Sequence, residues 1–476
     1  MRNFTTEYGE LPKFKKDGLP IVCIQGLGFV GSAMAVAVSN AIDNNGNPKY
    51  NVVGIDLPNE KGKKIVHSFN EGIFPFETTD KSLIHCFKKS IERKNLYATT
   101  NPKAISLAST ILVDINLDVT WNNSIPDVNL NDFKNGIRTI GEYVTPNSLV
   151  IVETTVPPGT CEKVVVPELR NSLKKRGLPE DCVHIAHSYE RVMPGSQYLD
   201  SIVNYWRVYS GVTKESEDRC MHFLQSVINT EEYPLTQLSS TTASETAKVL
   251  ENSYRALNIA FMEEWGRFAE EIGINMFEIV EAIRKRPTHA NIMKPGFGVG
   301  GYCLTKDPLF AKIGAEKFFG KKINFEFTVK AVEVNKKMPL AVVNKLKQIF
   351  GNNLSNLRIL ILGISYKQDI GDTRNSPTET LVRELKRNEV ELFFHDPLVS
   401  YWEEMGTSVL KTLPERENFD AIIITVPHKV YKEIDFSKLL NNTETAIIDA
   451  NNVLTEKQIE EIRKNGNRLT FIGRGN

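Results

Sequence analysis

One cysteine in this chain has the surroundings of a nucleophile. Cys303 follows the run Pro295-Gly296-Phe297-Gly298-Val299-Gly300-Gly301-Tyr302, in which four of seven residues from Pro295 to Gly301 are glycine, and it precedes Leu304-Thr305-Lys306-Asp307-Pro308. A glycine-rich loop can wrap closely around a ligand. A cation such as Lys306 near a thiol favours the thiolate, which is the form that attacks carbon. The competing reading is a buried, inert thiol beside a flexible turn, the fate expected of Cys23, Cys86, Cys161, Cys182 and Cys220. No two of the six stand at CxxC spacing, so neither a metal site nor a disulfide framework is expected.

A second constellation points to a dinucleotide. The apolar run 21–25 leads into Gly26-Leu27-Gly28-Phe29-Val30-Gly31 and then into small, helix-compatible residues. In a strand–turn–helix context these glycines let backbone N–H groups and a helix N-terminus receive a pyrophosphate. Asp56 ends the next apolar run, where a carboxylate accepts the ribose hydroxyls and disfavours a 2′-phosphate, so the spacing predicts NAD rather than NADP. Lys248 and Asn252 stand four apart and share one helical face, which could be a working face or merely a solvated one. Glu153-Thr154-Thr155-Val156-Pro157-Pro158-Gly159-Thr160 and Ser188-Tyr189-Glu190-Arg191-Val192-Met193-Pro194-Gly195 each follow an apolar run. Open α/β sheets bind ligands at such strand ends, although Pro and Gly there are also ordinary loop residues.

The elements that must carry these residues are legible as texture. Short Val/Ile-rich runs at 21–25, 51–56, 111–115, 149–153, 183–187 and 207–210 predict a parallel sheet covered on both faces. From 244 to 272 the period changes, and Leu250, Tyr254, Leu257, Phe261, Trp265, Phe268 and Ile272 form the apolar stripe of a long helix. A second helical run covers 325–350. A second α/β region follows, with runs at 358–362, 390–394, 421–426 and 446–449 and a helix start at Ser376-Pro377 with Glu379 as the partner in a capping box. The expected fold class is therefore α/β, with two Rossmann-like doubly wound domains joined by a helical middle domain built on a long central helix.

Composition sets the outer limits. The chain has 476 residues, a length that suggests about three domains. Its 58 Lys and Arg balance 58 Asp and Glu, so no global field favours nucleic acid or anionic lipid. No apolar run is long enough to span a bilayer, and 1–20 lacks the apolar core of a secretory signal, so a cytoplasmic protein without membrane partners is expected.

Taken together, the motifs resemble the UDP-glucose/GDP-mannose dehydrogenase family over nearly the whole chain. They stand in the family's order: GLGFVG at 26–31, TTVPPGT at 154–160, SYERVMPG at 188–195, Lys248 with Asn252, GFGVGGYCLTKDP at 296–308 and GISYKQDIGDTRNSP at 363–377. The resemblance implies an extension at 1–18, an NAD-binding domain at 19–213, a helical domain at 214–350 that carries the cysteine loop and the dimer contact, and a UDP-binding domain at 351–476. It implies oxidation of a nucleotide sugar's C6 alcohol to the uronic acid with two NAD and one water. In that reaction Asp307 and Thr155 hold a water beside the hydroxyl, Lys248 and Asn252 stabilise oxygen charge, Cys303 forms the thiohemiacetal and thioester, and Glu190 is the base of hydrolysis. By the same resemblance Thr155 and Arg374 reach the cofactor. Glu190, Arg191, Gly298, Gly300, Tyr366 and Lys367 meet the nucleotide sugar, and the protein is a homodimer or a dimer-based oligomer.

Departures from the family pattern bear on the sugar. Pro194 stands where the UDP-glucose branch carries a second glutamate, which favours a UDP-N-acetylhexosamine; Tyr302 and Lys306 depart from that branch, and Lys306 is typical of UDP-glucose enzymes. Ile115-Asn116-Leu117-Asp118 replaces a usual VPTP-like loop, and Tyr189 replaces a usual proline. The first alternative is therefore a UDP-glucose 6-dehydrogenase, and two others stand further off. One is a two-electron enzyme of the 6-phosphogluconate dehydrogenase type, with Cys303 structural, and the other is a non-catalytic nucleotide-sugar or NAD-binding regulator.

Overall fold

The computed structural model of the protein describes residues 8–15, 17–122, 125–193, 195–440 and 444–475. It falls into two compact units, Met1–Leu250 with Leu309–Asn324, and Glu251–Pro308 with Phe325–Asn476.

In the first unit, eight strands form one sheet in the spatial order Thr236–Gln237, Val208–Gly211, His184–His187, Leu149–Val152, Thr110–Val113, Ile21–Gln25, Asn51–Ile55 and Leu96–Thr99. The six from Leu96–Thr99 through to His184–His187 are parallel and follow the doubly wound order 3-2-1-4-5-6. Asn51–Ile55, Thr110–Val113 and Leu149–Val152 are buried end to end, as parallel strands covered on both faces are. The differences from expectation occur at the sheet's two ends: Val208–Gly211 pairs antiparallel with His184–His187, Thr236–Gln237 beyond it is a strand of two residues, and Leu96–Thr99 forms the opposite edge without standing out as an apolar run. A hairpin, Val119–Asn122 with Ile125–Val128, lies outside the sheet.

In the second unit, five parallel strands take the order Glu391–His395, Arg358–Leu362, Ala421–Ile424, Ala446–Asp449 and Arg468–Phe471. This is the other common doubly wound order, 2-1-3-4-5. Strand alternation sends Ile359, Ile361, Ile423 and Ile448 to one face against Leu381 and Leu385, and Leu360, Leu362, Ile422 and Ile447 to the other against Phe436 and Ile459. The helical run at 325–350 is two helices, Glu326–Lys337 and Leu340–Phe350. Pro339 lacks the N–H that would continue the first. Ser376 caps Pro377–Arg387 by accepting from the Thr378 N–H, but the expected box is not made, because the bond goes to Thr378 rather than Glu379 and the Glu379 side chain turns to Arg383. The reciprocal box belongs instead to Thr455 and Gln458.

The long helix runs from Thr241 to Ile272. Its apolar stripe points outward, each residue named for it being at least 40% exposed, whereas Lys248 and Asn252 are only 6% and 5% exposed. The solvated-face reading of Lys248 and Asn252 is thereby corrected. Their polar face is the inner one, and the apolar stripe is the outer one. No helix among the described residues is long and apolar enough to cross a membrane.

Candidate active site

In the first unit the strand Ile21–Gln25 ends in a turn that only glycine can make. Gly26 has φ +103°, and a Cβ on Gly31 would fall 1.9 Å from the Gly26 carbonyl oxygen, so turn and helix pack backbone against backbone. A Cβ on Gly28 would meet nothing nearer than Asn116 Oδ1 at 4.0 Å, which leaves that face of the turn open. No side chain caps the helix Phe29–Ser39 that begins there, so its positive end is suited to a pyrophosphate. Asp56 follows Asn51–Ile55 and is oriented by the Leu27 and Leu57 N–H groups at 3.2 and 2.7 Å. Burial raises its pKa. Gly26 to Gly31 and Asp56 thus meet as the sequence predicts, with a cradle shaped for a dinucleotide. Beside it, Ile115 packs on Gly136 and accepts, through its carbonyl, from Thr154 Oγ1 at 2.9 Å. Half-buried Thr155 follows, with no hydroxyl partner among the described residues.

The strand His184–His187 delivers Tyr189, Glu190 and Arg191 in the same unit. Lys248 Nζ donates to the Glu190 carbonyl at 2.7 Å and lies 3.7 Å from its carboxylate, so two expected site residues are already in contact. His187 bonds Ser244 Oγ through Nδ1 at 2.6 Å, and burial together with Lys248 lowers its pKa to about 3, which keeps it neutral. Pro194 lies outside the described residues.

In the second unit the loop holding Cys303 doubles back on itself, because the Cys303 carbonyl accepts from the Lys306 and Asp307 N–H groups at 3.2 and 2.9 Å. Cys303 is exposed; Cys23, Cys161 and Cys220 are buried, and burial pushes their thiols far up. Asp307 is 1% exposed and takes Asn252 Nδ2 on one oxygen at 2.9 Å and Lys306 Nζ on the other at 2.7 Å. The Lys306 ammonium also sits 4.1 Å from the Tyr302 ring centroid. The sequence places Lys306 beside the thiol; the structure shows it engaged by Asp307 and Tyr302.

The glycines of this loop have a packing reason. A Cβ on Gly298 would reach within 2.7 Å of Pro377, and on Gly300 or Gly301 within 2.8 Å of Tyr366. Burial, then Asp372 and Cys303, push the Tyr366 hydroxyl up to about 12. Lys367 has its pKa lowered by desolvation and then by Arg255. Arg374 makes a two-pronged pair with Asp372 at 2.9 and 2.7 Å.

Several supporting residues escape sequence reasoning. Glu245 accepts from the Gly159 and Cys161 N–H groups at 2.6 and 2.7 Å, and so pins the loop that carries Thr155. Buried Arg207 meets buried Glu153 at 3.0 Å, while Asp114, its carboxyl pushed well up by burial and by Glu153 and Glu190, completes an acidic cluster. A carboxylate at a strand end was the available signal for Glu153; nothing local marks its partner.

Sequence profiles of the UDP-glucose/GDP-mannose dehydrogenase family match three stretches of the chain, the NAD binding domain at 21–228, the central domain at 242–337 and the UDP binding domain at 360–456. The chain is similar to a UDP-N-acetyl-D-mannosamine dehydrogenase of Methanocaldococcus jannaschii, 30% identical over 473 residues, which is 98% of this chain and 99% of the relative. Among solved structures it is similar to a UDP-D-ManNAc dehydrogenase from Pyrococcus horikoshii, 27% identical with a TM-score of 0.78 over 95% of this chain and 99% of that one. A UDP-glucose dehydrogenase from Pyrobaculum islandicum shares the fold, with a TM-score of 0.79 at 20% identity over 98% of this chain and 100% of that one.

Proposed function

Since the chain belongs to the UDP-glucose/GDP-mannose dehydrogenase family and is an NAD-dependent oxidoreductase, we propose that it oxidises the C6 alcohol of a UDP-N-acetylhexosamine to the carboxylate. The observation that carries the reading is the pair of buried, hydrogen-bonded arrangements, Lys248 on Glu190 and Asn252 with Lys306 on Asp307, accompanied by one exposed cysteine. Burial gives such donors their strength, because water does not screen them.

The balance is one alcohol, two NAD and one water in; one carboxylate, two NADH and three protons out. Gly26 to Gly31, Asp56, Thr155 and Arg374 would hold NAD, which would supply the hydride acceptor for each oxidation. In the first, Asp307 and Thr155 hold the water that takes the hydroxyl proton. Asn252 keeps Asp307 oriented, and Lys248 with Asn252 stabilises the developing oxygen charge. Cys303 then adds to the aldehyde: the S–C bond forms, and the thiol proton leaves to solvent as the oxygen is held by Lys248. Loss of the second hydride leaves a thioester on Cys303. Water attacks it with Glu190 taking the proton, the C–S bond breaks and the thiolate returns. Arg191, Gly298, Gly300, Tyr366 and Lys367 hold the nucleotide sugar.

The outward apolar stripe of the helix Thr241–Ile272 supports a homodimer, a second copy covering what one chain leaves exposed. The protein works in the cytoplasm, where its nucleotide substrates are available. Turnover of a panel of UDP-N-acetylhexosamines, UDP-glucose and GDP-mannose tests the reading. The highest kcat/KM is expected with an N-acetylated UDP-sugar. A clear preference for UDP-glucose would overturn the sugar assignment, and silence with every sugar would overturn the activity.

A further inference from the structure

We propose that Tyr189 is a positioning residue that holds Lys248 and Arg191 in place for the reaction, an inference that rests on the dehydrogenase reading. Tyr189 is 1% exposed and stands where the family pattern has proline, which offers neither an aromatic face nor a hydroxyl. The Lys248 ammonium lies 5.4 Å from its ring centroid and the Arg191 guanidinium carbon 5.2 Å from it. The two cations are thus drawn toward one electron-rich ring. Arg191 is fixed further, since Nη2 donates to the Tyr189 hydroxyl at 3.1 Å and Nη1 to the Trp206 carbonyl.

The neighbouring contacts make the arrangement specific. Lys248 Nζ is already bonded to the Glu190 carbonyl, so the ring bears on an ammonium whose direction is set. One turn earlier on the same helix, Ser244 is tied to His187, and the strand end therefore grips the helix at Ser244 and again at Lys248. His187 lies 6.2 Å from Tyr189, ring to ring, and being neutral it adds no charge to compete with Lys248. Ring and hydroxyl consequently have separable duties: the ring serves Lys248 and hence turnover, and the hydroxyl serves Arg191 and hence the grip on substrate.

The test is a split between kcat and KM in the full-length enzyme with its best nucleotide sugar. Tyr189→Phe keeps the ring, so kcat is expected within about twofold of the parent while KM for the sugar rises about tenfold, the worth of one hydrogen bond from a charged donor. Arg191→Gln should raise KM similarly, and the double variant should be little worse than either single one. Tyr189→Leu removes ring and hydroxyl, and kcat should fall about tenfold or more as well. NAD affinity, read by fluorescence, should be unchanged in Tyr189→Phe and Arg191→Gln. Unchanged KM in Tyr189→Phe, or additive KM effects in the double variant, would overturn the proposal even if Tyr189→Leu fails to fold. A parent enzyme active on nucleotide sugars whose variants show no split refutes this inference alone; a parent inactive on all of them refutes the dehydrogenase reading with it.

Discussion

Replacing Arg207 with methionine should be among the most damaging single changes to the first unit. Arg207 and Glu153 are each 1% exposed, meet at 3.0 Å, and lie beside Asp114 in the same buried cluster. Methionine fills a similar volume but leaves Glu153 without its cation among two other carboxyl groups. Breaking one side of a buried pair costs about 3–5 kcal/mol, and in a folding unit of this size that corresponds to a fall in Tm of roughly 10 °C. The loss has a pH signature. Burial raises the folded pKa of Glu153 despite Arg207, so removing Arg207 raises it further. A carboxyl raised on folding contributes stability that is present below its unfolded pKa and is lost as pH rises through the folded one. The Arg207→Met deficit should therefore be small near pH 4, widen toward pH 8, and largely disappear in Arg207→Met/Glu153→Gln. Thermal unfolding of parent, single and double variants across that range measures it. At pH 8 a cost under about 1 kcal/mol, the range of an exposed pair, would overturn this expectation, as would a double variant no more stable there than the single one.

Glu245, raised to about 7 mainly by burial, contributes stability that should be lost as pH climbs from about 4.5 to 7, by about 3 kcal/mol; Glu245→Gln should remove this slope, measured as the difference in Tm from the parent. Lys248→Ala and Asn252→Ala should each lower kcat about a hundredfold or more in the first oxidation, seen in single-turnover NADH formation, because each deletes a buried donor whose geometry is already set. Trp265→Glu, on the exposed stripe, should convert a dimer to monomers with the fold retained, as read by light scattering and circular dichroism; a monomeric parent would contradict the dimer.

What the sequence made legible was what local geometry dictates. The Gly26–Gly31 turn could be read because only glycine fits a φ of +103° and a 1.9 Å approach, and the central strands could be read because burial on both faces demands unbroken apolar runs. Leu96–Thr99 and Thr236–Gln237 owe their strand state to sheet neighbours rather than to their own pattern. Periodicity separated the two faces of the helix Thr241–Ile272 but could not say which was inside. The apolar stripe was outside, a result only tertiary packing decides. Cys303, Lys248, Asn252 and Asp307 could be named from spacing and resemblance, whereas Glu245, Arg207 and Asp114 act across long stretches of chain and have no local signal.

The proposed reaction is a four-electron oxidation that passes through Cys303. Its most direct test is the yield of NADH per nucleotide sugar, with the sugar limiting and NAD in excess, for the parent and for Cys303→Ala. Two NADH and a carboxylate are expected from each sugar in the parent, and no rapid second equivalent in the variant. One NADH per sugar in the parent, or two at an undiminished rate in Cys303→Ala, would contradict it.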